Sequence, residues 1–261
     1  MKFDEMEIKG IYDSEQVNVY HQFFNKLLPE SKMYQRFGGF FSSKNFAHCA
    51  QGLQDFIKNN RGKMELSIIP IFTEEEIDAI HEGILPEKII TKNWIGELTD
   101  IQEQFEKNHT KALAWMLAIG SLEIKIIIPK HDDGTILSKD ELENHEIFTK
   151  HIGVLWNKDD DDQIISFHGT VNLGSQNEKE EYDLNVFKSW IGREQPTVDK
   201  DFENFSKFFV PNQTFSYENI QIEILKLPEG LEQYFGEIAP RSEQDLPELT
   251  KPMTNDDLFI F

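Results

Sequence analysis

The sequence predicts a single α/β domain with a mixed β-sheet flanked by helices. Apolar runs of strand length alternate with helix-period segments over the first 130 residues, and three strand-like runs then follow one another across polar turns. No internal repeat divides the chain, and 261 residues suffice to bury a core without disulfides or a structural metal.

In chain order, "MYQRFGGFFSS" (33–43) reads as a strand entering a tight turn at the Gly pair. Residues 44–60 then carry Phe46, Ala47, Ala50, Leu53, Phe56 and Ile57 at helical spacing, and "NNRG" (59–62) stops that helix. "KMELSIIPI" (63–71) reads as a buried strand, and Thr73 with Glu76 forms a capping box for a helix that Gly83 ends. A helical pattern over Leu98–Ile119, closed by Gly120, precedes the strand "LEIKIIIPK" (122–130), which makes the first half β-α-β-α-α-β. The second half is locally antiparallel, with strands at 147–156, 163–171 and 182–190, a short helix at 199–209 and a last strand at 220–227. The domain is expected over 1–235. The acidic segment 236–261, with Pro240, Pro247 and Pro252, reads as an extended or partly disordered tail.

Composition narrows the function classes. A formal net charge of −21 argues against an indiscriminate grip on a nucleic-acid backbone, which draws on Lys and Arg to release counterions. The acid gathers in runs such as "KDDDD" (158–162), which read as solvated loop surface, with an Asp-rich metal site or a DNA-mimicking face as minor alternatives. Cys49 is the one cysteine, so no intramolecular disulfide forms and a reducing compartment is expected. The N-terminus has no apolar core of signal-peptide length, and no run approaches the roughly 20 residues a membrane span needs, so the expected location is cytoplasmic and no membrane partner is expected.

Two histidines interrupt apolar strands, His151 in "IFTKHIGVLW" (147–156) and His168 in "QIISFHGTVNLG" (163–174). Strand alternation puts Thr149 and His151 on one face, and His168, Thr170 and Asn172 on one face of the neighbouring strand. If both faces look into one cleft, the imidazoles can serve as nucleophile and acid, His being suited to proton transfer near neutral pH. Alternatively they are inert, hydrogen-bonded groups in a decayed pocket, or transition-metal ligands, though no paired ligand spacing backs the last. His21, His48, His81, His109, His131 and His145 lie in helical or acidic segments and read as unremarkable surface groups, and Trp115 and Trp190 as core. There is no Walker motif, so the chain is not itself a helicase motor.

From Tyr12 to Leu227 the chain resembles the phospholipase D superfamily, in particular the nuclease-type domain at the N-terminus of DEAD/DEAH-like and Swi2/Snf2-like helicases and in restriction and phage-defence systems. The resemblance rests on "LLPESKMYQRFGGFFSS", "AQGLQDFIKNNRGKMELSI", "LAWMLAIGSLEIKIIIP", "KHIGVLW", "ISFHGTVN" and "LNVFKSW". It implies a single phospholipase D-like domain and phosphodiester cleavage with no metal or other cofactor: one His attacks phosphorus, a second protonates the leaving oxygen, and Lys, Asn and Ser or Thr hold the anionic oxygens. It also implies a homodimer, since each site takes two H-x-K motifs, and a helicase or ATPase partner.

Placed by its glycine, the family's H-x-K-x-G falls on Thr149, Lys150, His151, Ile152 and Gly153, so the nucleophile and lysine positions hold Thr149 and His151. The following Asp position holds Trp156. G-S-x-N survives as Gly169, Thr170 and Asn172, and the later N-x-E falls on Glu180 and Tyr182. Two expectations follow for a degenerate site formed by Thr149, His151, His168, Thr170 and Asn172. One is a non-catalytic nuclease-fold subunit that scaffolds a nucleic-acid-processing assembly. The other is an active, metal-independent phosphodiesterase with a modified His-based site across a homodimer.

Overall fold

The computed structural model describes residues 1–12, 20–38, 50–59, 61–101, 104–145, 148, 150–170, 187–192 and 194–249, with the side chains of 20, 21, 50, 51, 104–106, 150, 151, 170 and 187–189 left undescribed. The strands are β1 (Ile11–Tyr12), β2 (Ser31–Phe37), β3 (Lys63–Ile68), β4 (Leu122–Lys130), β5 (Lys150–Asn157), β6 (Ile164–Thr170), β7 (Phe187–Ile191), β8 (Gln213–Tyr217) and β9 (Ile220–Lys226). The longer helices are α1 (Ala50–Lys58), α2 (Glu74–His81), α3 (Pro86–Thr99), α4 (Gln104–Ala118), α5 (Lys139–Glu143), α6 (Pro196–Phe209) and α7 (Glu229–Ile238).

The mixed α/β architecture is the expected one. The sheet runs β1-β7-β6-β5-β2-β3-β4-β9-β8, with β2, β3 and β4 parallel and β5, β6 and β7 an antiparallel wing. The near-continuous burial of β4 has a cause in its sequence: "IIIP" fills both faces of a strand enclosed between layers of the fold. On one face Tyr34, Leu66, Ile124, Leu155 and Phe167 meet Leu53 and Phe56 of α1, Ile90 of α3 and Leu231 and Phe235 of α7 in the larger core. On the other, Phe37, Ile69, Ile127, Ile152 and Ile224 meet Phe205 and Phe208 of α6, and Val198 packs with Val154 and Ile164.

Phe167 shows how one glycine serves this packing. Its ring is in edge contact with Phe23 and Phe24, both at 5.3 Å between centroids, and stacks on Tyr34 at 6.2 Å. The ring fits because Gly153 faces it across the strand pair; a Cβ there would stand 2.1 Å from the Phe167 Cζ. The glycine that anchored the motif alignment is therefore accounted for by packing alone.

Several expectations change. The pattern over Leu98–Ile119 is two helices, since α3 ends at Thr99, where the Asp100 N–H closes on the Gly96 carbonyl, and α4 begins at Gln104. The third antiparallel strand appears as Phe187–Ile191, the rest of 182–190 lying outside the described residues. The tail expected from 236 begins inside α7, and Leu246 and Leu249 are buried in the larger core with the Leu249 N–H donating to Gln54 Oε1 at 3.1 Å. The physical reason is that apolar side chains between the prolines find a free surface beside α1, and their burial outweighs the acidity of the segment.

Candidate functional site

Position on the pleat decides which of the candidate residues meet. In the β5–β6 ladder Lys150 pairs with Thr170, His151 with Gly169 and Ile152 with His168. Directly opposed residues of an antiparallel pair share a face, so positions 150, 168 and 170 belong to one set and position 151 to the other. Position 151 and His168 therefore belong to opposite sets, and position 150 falls in the set of His168. Thr149 and Asn172 lie outside the described residues, as do Glu180 and Tyr182. Trp156, at the family's Asp position, donates from Nε1 to Gln35 Oε1 at 2.9 Å.

His168 has a partner that the sequence reading passed over. Its Nε2 lies 2.7 Å from Oδ2 of Asp201, on α6, and Ser166 Oγ donates to the same oxygen. Ser166 and His168 stand two residues apart on β6, so both reach the helix laid over that face. The Asp201 side chain is 4% exposed and that of His168 27% exposed. A carboxylate only accepts hydrogen bonds, so this geometry assigns the proton to Nε2 and leaves Nδ1 as the basic nitrogen of the neutral ring. Trp190 meets the imidazole edge-on at 4.9 Å between centroids and limits its rotation. One signal for Asp201 was available: it is an acid within the apolar stripe Val198, Phe205 and Phe208 of an amphipathic helix, a position where a charge needs a partner.

A second polar chain crosses the same face on the next three strands, β5, β2 and β3. Gln35, 6% exposed, accepts from Trp156 and donates from Nε2 to Glu65 Oε2 at 2.7 Å. Burial holds the Glu65 carboxyl above its ordinary value, the Gln35 bond opposes that, and the charge of Glu123 adds to it. Lys125 pairs with Glu123 and lies 5.2 Å over the Phe209 ring.

The acidic run at 158–162 is not simply solvated. Asp160 pairs with Lys2 at 2.7 Å, Asp161 pairs with Lys32, and the Met1 ammonium lies between Glu30 at 2.5 Å and Asp159 at 3.4 Å. Lys2 and Asp160 each hold the other in its charged form, the lysine above and the carboxyl below its ordinary value. No group of three or more His, Cys, Asp or Glu side chains among the described residues is arranged to hold a metal ion. His109 departs from its expected surface position and is fully buried in α4. No described helix is long and apolar enough to cross a membrane.

The fold and the site together define an α/β sandwich protein with a buried-carboxylate histidine on its antiparallel wing. The chain matches no family model, and no curated protein matches it.

Proposed function

We propose that this chain is a phospholipase D-like phosphodiesterase domain of a nucleic-acid-processing system, with His168 rather than the H-x-K strand as its reactive group. The observation that carries the reading is the His168–Asp201 pair: an imidazole held at 2.7 Å by a buried carboxylate and still partly open to solvent. A His oriented this way has one nitrogen fixed and the other free to attack or to move a proton. The register also puts Lys150 and Thr170 at positions of the same set, where a cation and a hydroxyl are needed to hold phosphoryl oxygens.

One histidine per chain suffices if two copies share a site. Nδ1 of a neutral His168 attacks phosphorus and forms a P–N bond while the P–O bond to the leaving group breaks; His168 of a second copy, entering the step as the imidazolium with a proton on Nδ1 as well, gives that oxygen its proton. Water then cleaves the P–N bond, its proton going to the second imidazole. A helicase or ATPase partner would deliver the nucleic acid, since the chain's net charge of −21 gives it little grip of its own.

The second reading is a non-catalytic scaffold of the same assembly. It is favoured by Ser166, whose bond to Asp201 Oδ2 makes the same cluster a clasp between α6 and the sheet. The deciding experiment is hydrolysis of bis(p-nitrophenyl) phosphate and of single-stranded DNA with a metal chelator present. The first reading expects slow turnover that His168→Ala abolishes, that Asp201→Asn lowers and that His151→Ala leaves unchanged. Absence of turnover in a dimeric, folded preparation overturns it in favour of the scaffold.

A further inference from the structure

β8 closes the sheet at the end away from His168, and no described residue pairs with its outer side. The opposite end finishes in β1, whose two residues leave little edge to pair. β8 carries none of the usual guards of an edge strand. Its sequence "QTFSY" holds no charged residue and no proline, and its ladder with β9 runs without a break.

The turn decides which backbone groups look outward. Tyr217 pairs with Ile220 across the two-residue loop of Glu218 and Asn219, which makes that pair the hydrogen-bonded kind. Alternation then points the N–H and C=O of Gln213, Phe215 and Tyr217 at β9, and those of Thr214 and Ser216 outward. The extended backbone stops on both sides of them. Asn212, at φ 58°, gives its N–H to the Ile224 carbonyl at 2.8 Å, and Glu218 turns the chain at φ 53°. The open edge is thus the N–H and C=O groups of two exposed residues placed symmetrically about Phe215.

We infer that β8 pairs antiparallel with β8 of a second copy of this chain, about a two-fold axis through Phe215. In that register Thr214 meets Ser216 of the second copy and Ser216 meets its Thr214, so every outward N–H finds an outward C=O. An axis through Thr214 or Ser216 would set an outward residue against Asn212 or Glu218, which are not extended. Phe215 faces its own copy on the side where it packs on Phe208 at 5.3 Å, which carries the core under α6 across the join. Glu218 faces Asn212 rather than another acid. Charge selects the occupant: two chains of net charge −21 repel and meet best along a neutral strip, whereas a basic partner segment would be drawn to an edge carrying acids. β5, β2, β3, β4 and β9 lie between this edge and the strand of His168, so the contact is separate from any that shares the His168 site.

The test is sedimentation velocity of the full chain at increasing micromolar concentration, where a monomer–dimer equilibrium is expected. Ser216→Pro removes an outward N–H that the β9 ladder does not use and should weaken dimerisation about ten-fold or more. Thr214→Lys with Ser216→Lys sets cation against cation across the axis and should weaken it as much. Thr214→Lys with Ser216→Glu sets cation against acid and should return it to within about three-fold of the parent. The paired substitutions lie at exposed positions, so the inference stays testable even if Ser216→Pro fails to fold. A monomeric parent overturns it and leaves the edge to a partner segment. A dimer indifferent to Ser216→Pro and to the paired lysines overturns it too, as does a Lys–Glu variant no tighter than the Lys–Lys one. Hydrolysis at His168 is measured apart, and neither result decides the other.

Discussion

Asp201 and His168, 33 residues apart in the chain, meet at 2.7 Å, and the same Asp201 oxygen takes the Ser166 hydroxyl. Asp201→Ala would leave a buried hydroxyl and an imidazole without their acceptor. Hydrogen bonds to charged groups contribute about 1.5–3 kcal/mol, so a loss of about 2 kcal/mol in urea unfolding is expected. Asp201→Asn should cost less, because its amide oxygen still accepts one of the two bonds. A neutral Asp201→Ala would remove the pair as a structural element.

Gly153→Ala tests the close approach to Phe167. The new methyl would collide with a ring hemmed in by Phe23, Phe24 and Tyr34, and overpacking of this kind costs about 1–3 kcal/mol. Phe167→Leu in the same chain should recover part of that loss. The double-mutant cycle therefore gives a coupling of opposite sign to the single losses, whereas strictly additive losses would show that the glycine acts elsewhere.

Leu249→Ala examines whether the C-terminal segment belongs to the core. Leu249 is 1% exposed, and truncating a buried leucine costs about 2–5 kcal/mol. An unfolding midpoint equal to the parent's would return the segment to the status of a loose tail.

Glu65 gives a pH dependence whose sign follows from its raised pKa. The folded state holds this proton more tightly than the unfolded state, so stability from this group is greatest at acid pH. It is lost as pH rises from the ordinary carboxylate range through the raised value. Glu65→Gln keeps an acceptor for Gln35 and removes the charge. The variant should be more stable than the parent at neutral pH and lose that advantage in acid; an advantage that grew in acid would contradict the burial argument.

The sequence carried most of the strands and less of the helices. β3 and β4 are legible because their apolar runs are long and bounded, and β5 and β6 because their polar turns are sharp. α7 is hidden by Gly230 and Gly236, which read as loop although Leu231 and Phe235 anchor one face. β8 is hidden because "QTFSY" is short and mostly polar. For the site, alternation sets the parity within each strand but not the register between strands, and one residue of register decides whether position 151 or position 150 falls in the set of His168. For Asp201 the sequence signals only that an acid in an apolar helix stripe needs a partner; that the partner is His168 follows only from the docking of α6.

α6 lies across β7, β6, β5, β2 and β3, fastened at one end by Asp201 and at the other by the Phe208 carbonyl, which accepts from Ser67 Oγ at 3.0 Å. During synthesis this helix leaves the ribosome only after most of the sheet. β2 must also wait more than a hundred residues for β5, its neighbour on one side. A nascent chain therefore carries a half-covered apolar sheet face for as long as it takes to make residues 38–209. Long-range pairings of this kind fold slowly and expose sticky edges meanwhile, which makes this chain one whose yield should respond to translation speed and to chaperone supply.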